Sequence, residues 1–116
     1  MAAPVQEKAA RQGPAGYFVI FLHPVADRPI PADVMRLHAS HLAELDAQHK
    51  LVLAGPVPDR SQGLLVLDVE GLAAARLIAE EDPLIRGGYQ TYEIGTWILS
   101  TAANHYLPNL HPESRQ

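Results

Sequence analysis

Ten prolines in a chain of 116 residues limit where regular structure can run, because proline breaks helix interiors and central strands. Their share is above the usual ~5%, and their placement divides the chain. Pro24, Pro29 and Pro31 close one segment, Pro56 and Pro58 the next, and Pro83 a third. Between them lie three proline-free stretches of 24 residues each, 32–55, 59–82 and 84–107. A short apolar run, Tyr17-Phe18-Val19-Ile20-Phe21-Leu22, precedes them.

Leaving alanine aside, 38 side chains are apolar, and 33 of these lie within residues 17–99. One compact domain over 17–99 is therefore expected, with an N-terminal extension over 1–16 and a C-terminal tail over 100–116. The longest strongly apolar run is six residues, against the roughly 20 of a membrane helix, so no membrane partner is expected. The N-terminus carries Glu7, Lys8 and Arg11 without an apolar segment behind them, which is not a secretory signal. The chain has no cysteine, which rules out disulfides, thiolate metal sites and a thiol nucleophile; a cytoplasmic setting is the default. Residues 17–99 hold 6 basic and 11 acidic side chains, the reverse of a phosphate-neutralising surface, so nucleic acid is not expected as a partner.

Residues 17–22 are β-branched and aromatic and apolar on both faces, the pattern of a buried strand. From Pro31 to His49, Val34, Leu37, Leu42 and Leu45 recur at helical spacing, with proline at the expected first position and Asp33 in the first turn. Leu51–Gly55 and Gly63–Val69 read as two strands joined by the turn-rich Val57–Gln62. A second helix is expected from about Leu72 to Glu81, carrying Leu72, Ala75, Ile78 and Ala79 on one stripe and ended by Pro83. After Gly87-Gly88, residues 89–98 alternate as a last strand. The order β-α-β-β-α-β is the split unit of ferredoxin-like α+β folds with an antiparallel sheet. With both helices on one face, strands this apolar need cover on the other, and a second copy of the chain is the expected cover.

Two features point to chemistry. His38 and His41 both lie near the apolar stripe of the first helix, so an imidazole there faces the protein or a pocket. The plain alternative is a half-buried histidine hydrogen-bonded in the core. A zinc pair is a further option at this spacing, but no carboxylate or third histidine stands at a diagnostic distance. The second feature is Glu80-Glu81-Asp82 at the negative pole of the second helix. Glu80 and Glu81 read as solvated. Asp82 precedes Pro83 and is biased out of the helical region, which makes it a suitable partner for a first-helix histidine.

Several pieces in order resemble the YCII-related proteins: Ser40-His41-Leu42, Leu51-Val52-Leu53-Ala54-Gly55-Pro56, Gly63, Ala73-Ala74-Ala75 followed by Asp82-Pro83, and a final strand ending near Trp97. The resemblance spans about residues 17–99. It implies a dimeric α+β barrel similar to muconolactone isomerase. It also implies a histidine and an aspartate facing one pocket, which map onto His41 and Asp82, and cofactor-free proton transfer on small cyclic or aromatic acids. The chain departs from the family pattern at His49, where a glycine usually closes the first helix, and at Thr96, where a proline often precedes the final tryptophan. The tail from Ser100 to Gln116 has no counterpart in that pattern.

The leading expectation is a cofactor-independent lyase or isomerase with His41 as general base or acid and Asp82 orienting it. Gly55 and Pro56 would shape the pocket, and Arg36 and His38 would bind an anionic substrate. No metal or cofactor is assigned. The alternative is a non-catalytic small-molecule binding or sensing module on the same dimeric scaffold, since fold alone does not choose between them. A haem-degrading or quinone-forming monooxygenase would need a catalytic Trp97 or Tyr92, and an aromatic on an alternating strand is usually core. His23 stands near the expected pocket rim without an assigned role, and His105 and His111 read as non-catalytic.

Overall fold

The apolar run that opens the domain becomes β1 (Tyr17–Pro24), and its apolarity on both faces follows from its central place in the sheet. In the computed structural model, which describes residues 16–110, β1 is flanked on both edges. It pairs antiparallel with β3 (Gln62–Leu67) on one side and β4 (Gln90–Trp97) on the other. The edge strand β2 (Leu51–Val57) pairs antiparallel with β3, giving the order β2-β3-β1-β4. This is an α+β fold with the ferredoxin-like arrangement. Ile20 lies opposite Leu65 and Ile94, and the alternation of side chains puts all three on the face that the helices cover. Ile20 and Leu67 are fully buried there, with Leu22, Leu45, Ala75, Ile78 and Leu84. Burying each large aliphatic side chain contributes about 1.5–3 kcal/mol.

Helix α1 spans Ala32–Ala47. Pro31 takes the cap position just before it, with extended φ/ψ of −62° and 151°, rather than the first helical position. The inward stripe also differs from the expected one. Val34, Leu42 and Leu45 pack against the core, but Leu37 is 56% exposed, and His38, the next residue round the helix, takes the inward place. The helix closes without glycine: the Lys50 N–H donates to the Leu45 carbonyl and the His49 N–H to the Asp46 carbonyl. This double closure requires a left-handed residue, and His49 supplies it at φ 61°.

Several strand boundaries differ from the expected ones, and one short helix is added. β2 runs on through Gly55-Pro56, which an edge strand tolerates, and a short 3₁₀ turn at Pro58–Arg60 leads into β3. β3 ends at Leu67 rather than Val69. Helix α2 (Leu72–Glu81) buries Ala75, Ile78 and Ala79 as expected, though Leu72 stays half exposed. Pro83 does more than end it. The proline is the first residue of a further short helix, α3 (Pro83–Arg86), capped by Asp82.

On the face away from the helices, Tyr17, Val19 and Val66 are buried among Phe21, Val52, Leu64 and Leu99. The rings of Tyr17 and Trp97 meet edge-on at 6.5 Å, and Phe21 lies across Gly95, where an added Cβ would stand 3.3 Å from its ring. Leu99, just before the tail, supplies part of this cover. Asn104 pins the tail by donating to the Leu99 carbonyl and accepting from the backbone N–H groups of Thr101 and Tyr106. Leu53 and Trp97 remain 59% and 47% exposed. His105, in the tail, is exposed; His111 and residues 1–15 of the expected extension lie outside the described residues. Among the described residues no helix is long and apolar enough to cross a membrane.

Candidate functional site

Helices α1 and α2 meet in a register set by two histidine contacts. His38 stands opposite Asp82 and His41 opposite Ile78, so as one helix advances by three residues the other retreats by four, and the helices run antiparallel. The expected pairing of His41 with Asp82 is thereby corrected. Asp82 pairs with His38, whose Nδ1 lies 3.0 Å from Oδ1 and 2.9 Å from Oδ2. The Nε2 of His41 donates instead to the carbonyl of Ile78 at 3.1 Å. That carbonyl belongs to the last turn of α2, where helix carbonyls lose their intrahelical partners, and the Asp82 N–H is already directed to Ala79. His41 thus satisfies a helix end.

Asp82 is the one buried charged residue among the described residues, 1% exposed. The bend at Asp82-Pro83 puts it there. Its backbone is extended (φ −66°, ψ 129°), which ends α2, and its side chain accepts from the Leu84 N–H at 2.9 Å, which starts α3. A carboxylate that opposes the dipole at the end of one helix therefore sits at the favourable end of the next. Its oxygens only accept as a carboxylate, so the Nδ1 of His38 carries the hydrogen between them. In the neutral ring Nε2, on the opposite side, is the acceptor.

His38 forms part of the wall of a cavity of about 470 Å³ between α1, the β2–β3 hairpin and the start of β4. The other walls are mainly apolar, with Leu22, Ile30, Met35, Leu42, Leu65 and Leu84 among them, and Gly55 and Pro56 also contribute. The structure brings together four of the six residues singled out in the sequence: His38, Gly55 and Pro56 line this cavity, and Asp82 stands behind His38. Arg36 does not join them. It is exposed and lines neither cavity.

His41 faces a different cavity, of about 420 Å³, at the other end of the helix pair. Its charged lining includes Glu44, Lys50, Asp68, Glu70 and Glu81. His23 lies on the far face of the sheet, where its Nε2 is 3.1 Å from the Glu93 carboxylate. Glu80 is exposed but not solely solvated: it accepts from the Tyr92 hydroxyl at 2.8 Å. That bond, with partial desolvation and the negative charge of Glu80, raises the Tyr92 pKa above its ordinary 10.0. His38 and His41 hold different partners, and among the described residues no group of three metal-ligating side chains stands close enough to hold an ion.

Sequence reasoning missed Gln90, which lines the cavity, and no local signal marks it. It also missed α3, although an aspartate followed by proline is a helix-start signature. A histidine backed by a buried carboxylate in an apolar wall can accept a proton at Nε2 and return it. The aspartate holds the tautomer and the ring orientation.

A family model described as the YCII-related domain matches residues 17–98. No curated protein matches the chain.

Proposed function

The chain belongs to the YCII-related domain family, and from that premise we propose that it is a cofactor-independent lyase or isomerase that moves a proton on a small cyclic or aromatic compound. His38 is the general base or acid, and Asp82 is the positioning residue that orients it. The observation that carries the reading is the bidentate approach of the His38 Nδ1 to the buried Asp82 carboxylate beside a mainly apolar cavity. His41, held by Ile78, supports the helix pair and takes no part in the proton transfer.

The test is proton exchange. In D₂O, hydroxylated ring compounds and cyclic ketones would be followed by proton NMR for replacement of C–H by C–D. Exchange with the wild-type protein is expected, with a loss of about 10²-fold or more in His38→Ala and retention in His41→Gln. Exchange undiminished in His38→Ala refutes the reading.

A second reading rests on the bond from the Leu84 N–H to Asp82. It gives Asp82 a structural task, so that the dyad would hold the helix junction while the cavity binds a ligand without turnover. Tight binding with no exchange would favour this binding module. In either case we propose a homodimer formed through the far face of the sheet, supported by the exposed Leu53 and Trp97 beside the apolar cluster of Tyr17, Val19 and Val66.

A further inference from the structure

The walls of the cavity beside His38 carry few polar side chains, those of His38, Ser61, Gln62 and Gln90. His38 is the only titratable side chain in the lining, and neither lysine nor arginine contributes to it. An anionic ligand would therefore find no lysine or arginine, and would sit one imidazole ring away from the buried carboxylate of Asp82. With Nδ1–H committed to Asp82, the neutral His38 ring presents an acceptor at Nε2.

Gln90 adds a second acceptor. It is the first residue of β4, opposite Pro24 and on the same face as Tyr92 and Ile94. Its Oε1 is shielded from water and has no hydrogen-bond partner. Leaving a buried carbonyl unpaired is unfavourable, and such an atom in a cavity wall calls for an explanation. The terminal amide of glutamine turns about a soft, broad last torsion, which lets that oxygen swing toward the cavity and meet a donor.

We infer that this cavity selects an uncharged, mainly apolar ring compound bearing a hydroxyl or N–H donor, that Gln90 is the specificity-determining residue that receives the donor, and that carboxylates are rejected. The inference rests on the cavity being the ligand site of the proposed function, and it replaces the anionic substrate for which Arg36 was expected. The ring lies among Leu22, Met35 and Leu42, and a donor on the ligand meets the Gln90 carbonyl. Removal of the Gln90 carbonyl leaves the apolar contacts in place and takes away only the discrimination.

Three naphthalene probes test this by fluorescence titration of the full chain: 2-naphthol, a neutral donor; 2-naphthoate, an anion on the same ring; and 2-methoxynaphthalene, neutral with no donor. The expected order is 2-naphthol at least tenfold tighter than each of the others. In Gln90→Leu the preference for 2-naphthol over 2-methoxynaphthalene falls at least fivefold while the affinity for 2-methoxynaphthalene is kept. The Tm of this variant is unchanged or higher, because an orphaned polar atom has been removed. Gln90→Glu, which keeps an acceptor, retains 2-naphthol and weakens 2-naphthoate further. Tighter binding of 2-naphthoate, equal binding of naphthol and its methyl ether, an unchanged preference in Gln90→Leu, or no binding of any probe overturns the inference. The proton-transfer reading fails separately: probe selectivity that follows Gln90 alongside His38→Ala exchange equal to wild type would sink the chemistry and leave the selectivity standing.

Discussion

Replacing Asp82 in two ways separates its part in the fold from its part in the chemistry. In Asp82→Ala the Leu84 N–H loses its acceptor at a buried site, at a cost of about 1–3 kcal/mol, and His38 loses the carboxylate that both held and oriented it. Together these losses give about 2–4 kcal/mol. For a chain of this size that is a fall in Tm of roughly 10–15 °C. In Asp82→Asn the amide oxygen still accepts from Leu84, so the loss of stability stays within about 1 kcal/mol of one retained cap. The amide nitrogen, however, now faces Nδ1 as a donor. This favours the tautomer with the hydrogen on Nε2, where the ring can no longer take a proton from the ligand. Proton exchange should drop by about 10³–10⁴, the size of effect produced by a wrong tautomer in a His-Asp pair. Thermal denaturation reads the first quantity, C–H exchange in D₂O the second, and long-range ¹⁵N–¹H correlation of the imidazole reports the tautomer directly. Wild-type exchange in Asp82→Asn would refute the dyad. Equal Tm in the two variants would refute the capping role.

His49→Gly should raise stability by about 0.5–1 kcal/mol, because a non-glycine residue in the left-handed region is strained and the helix closure is otherwise complete; a lower Tm would contradict this account. The raised Tyr92 pKa fixes the sign of one pH effect. The folded protein holds that proton more tightly than the unfolded chain, so the contribution is full below the ordinary pKa of about 10 and is lost as pH rises through the raised value. Tyrosinate absorbance should therefore show a late-titrating component that is lost in Tyr92→Phe, with a stability effect of a few tenths of a kcal/mol, as for an exposed pair. Leu53→Glu places a charge on the exposed far face and should convert the proposed dimer to monomer in light scattering with little change in monomer fold. A wild-type monomer at every concentration would remove the dimer proposal.

The order of the four strands and the two longer helices was legible in the chain because it depends on local properties: proline placement, the β-branched run at residues 17–22, and helical spacing between prolines. The candidate site was legible only in part. His38, His41 and Asp82 stood out as polar groups in apolar or awkward surroundings, and the backbone bias of a residue before proline marked Asp82 as redirected. The choice between the two histidines was not in the sequence. Three residues of helix separate them by about 60° around the axis, and either fits an inward stripe when Leu37 is counted as part of it. The packed structure turns Leu37 outward and His38 inward, and the antiparallel register of α1 against α2 then hands Asp82 to His38 and the carbonyl of Ile78 to His41. Likewise, Gln90 has no local mark; it becomes notable only because strand pairing and helix packing close around its carbonyl without giving it a partner. Periodicity and proline sterics act within a few residues and so are written in the chain. Helix register and cavity walls arise from the simultaneous packing of segments distant in the chain, and that only the tertiary structure decides.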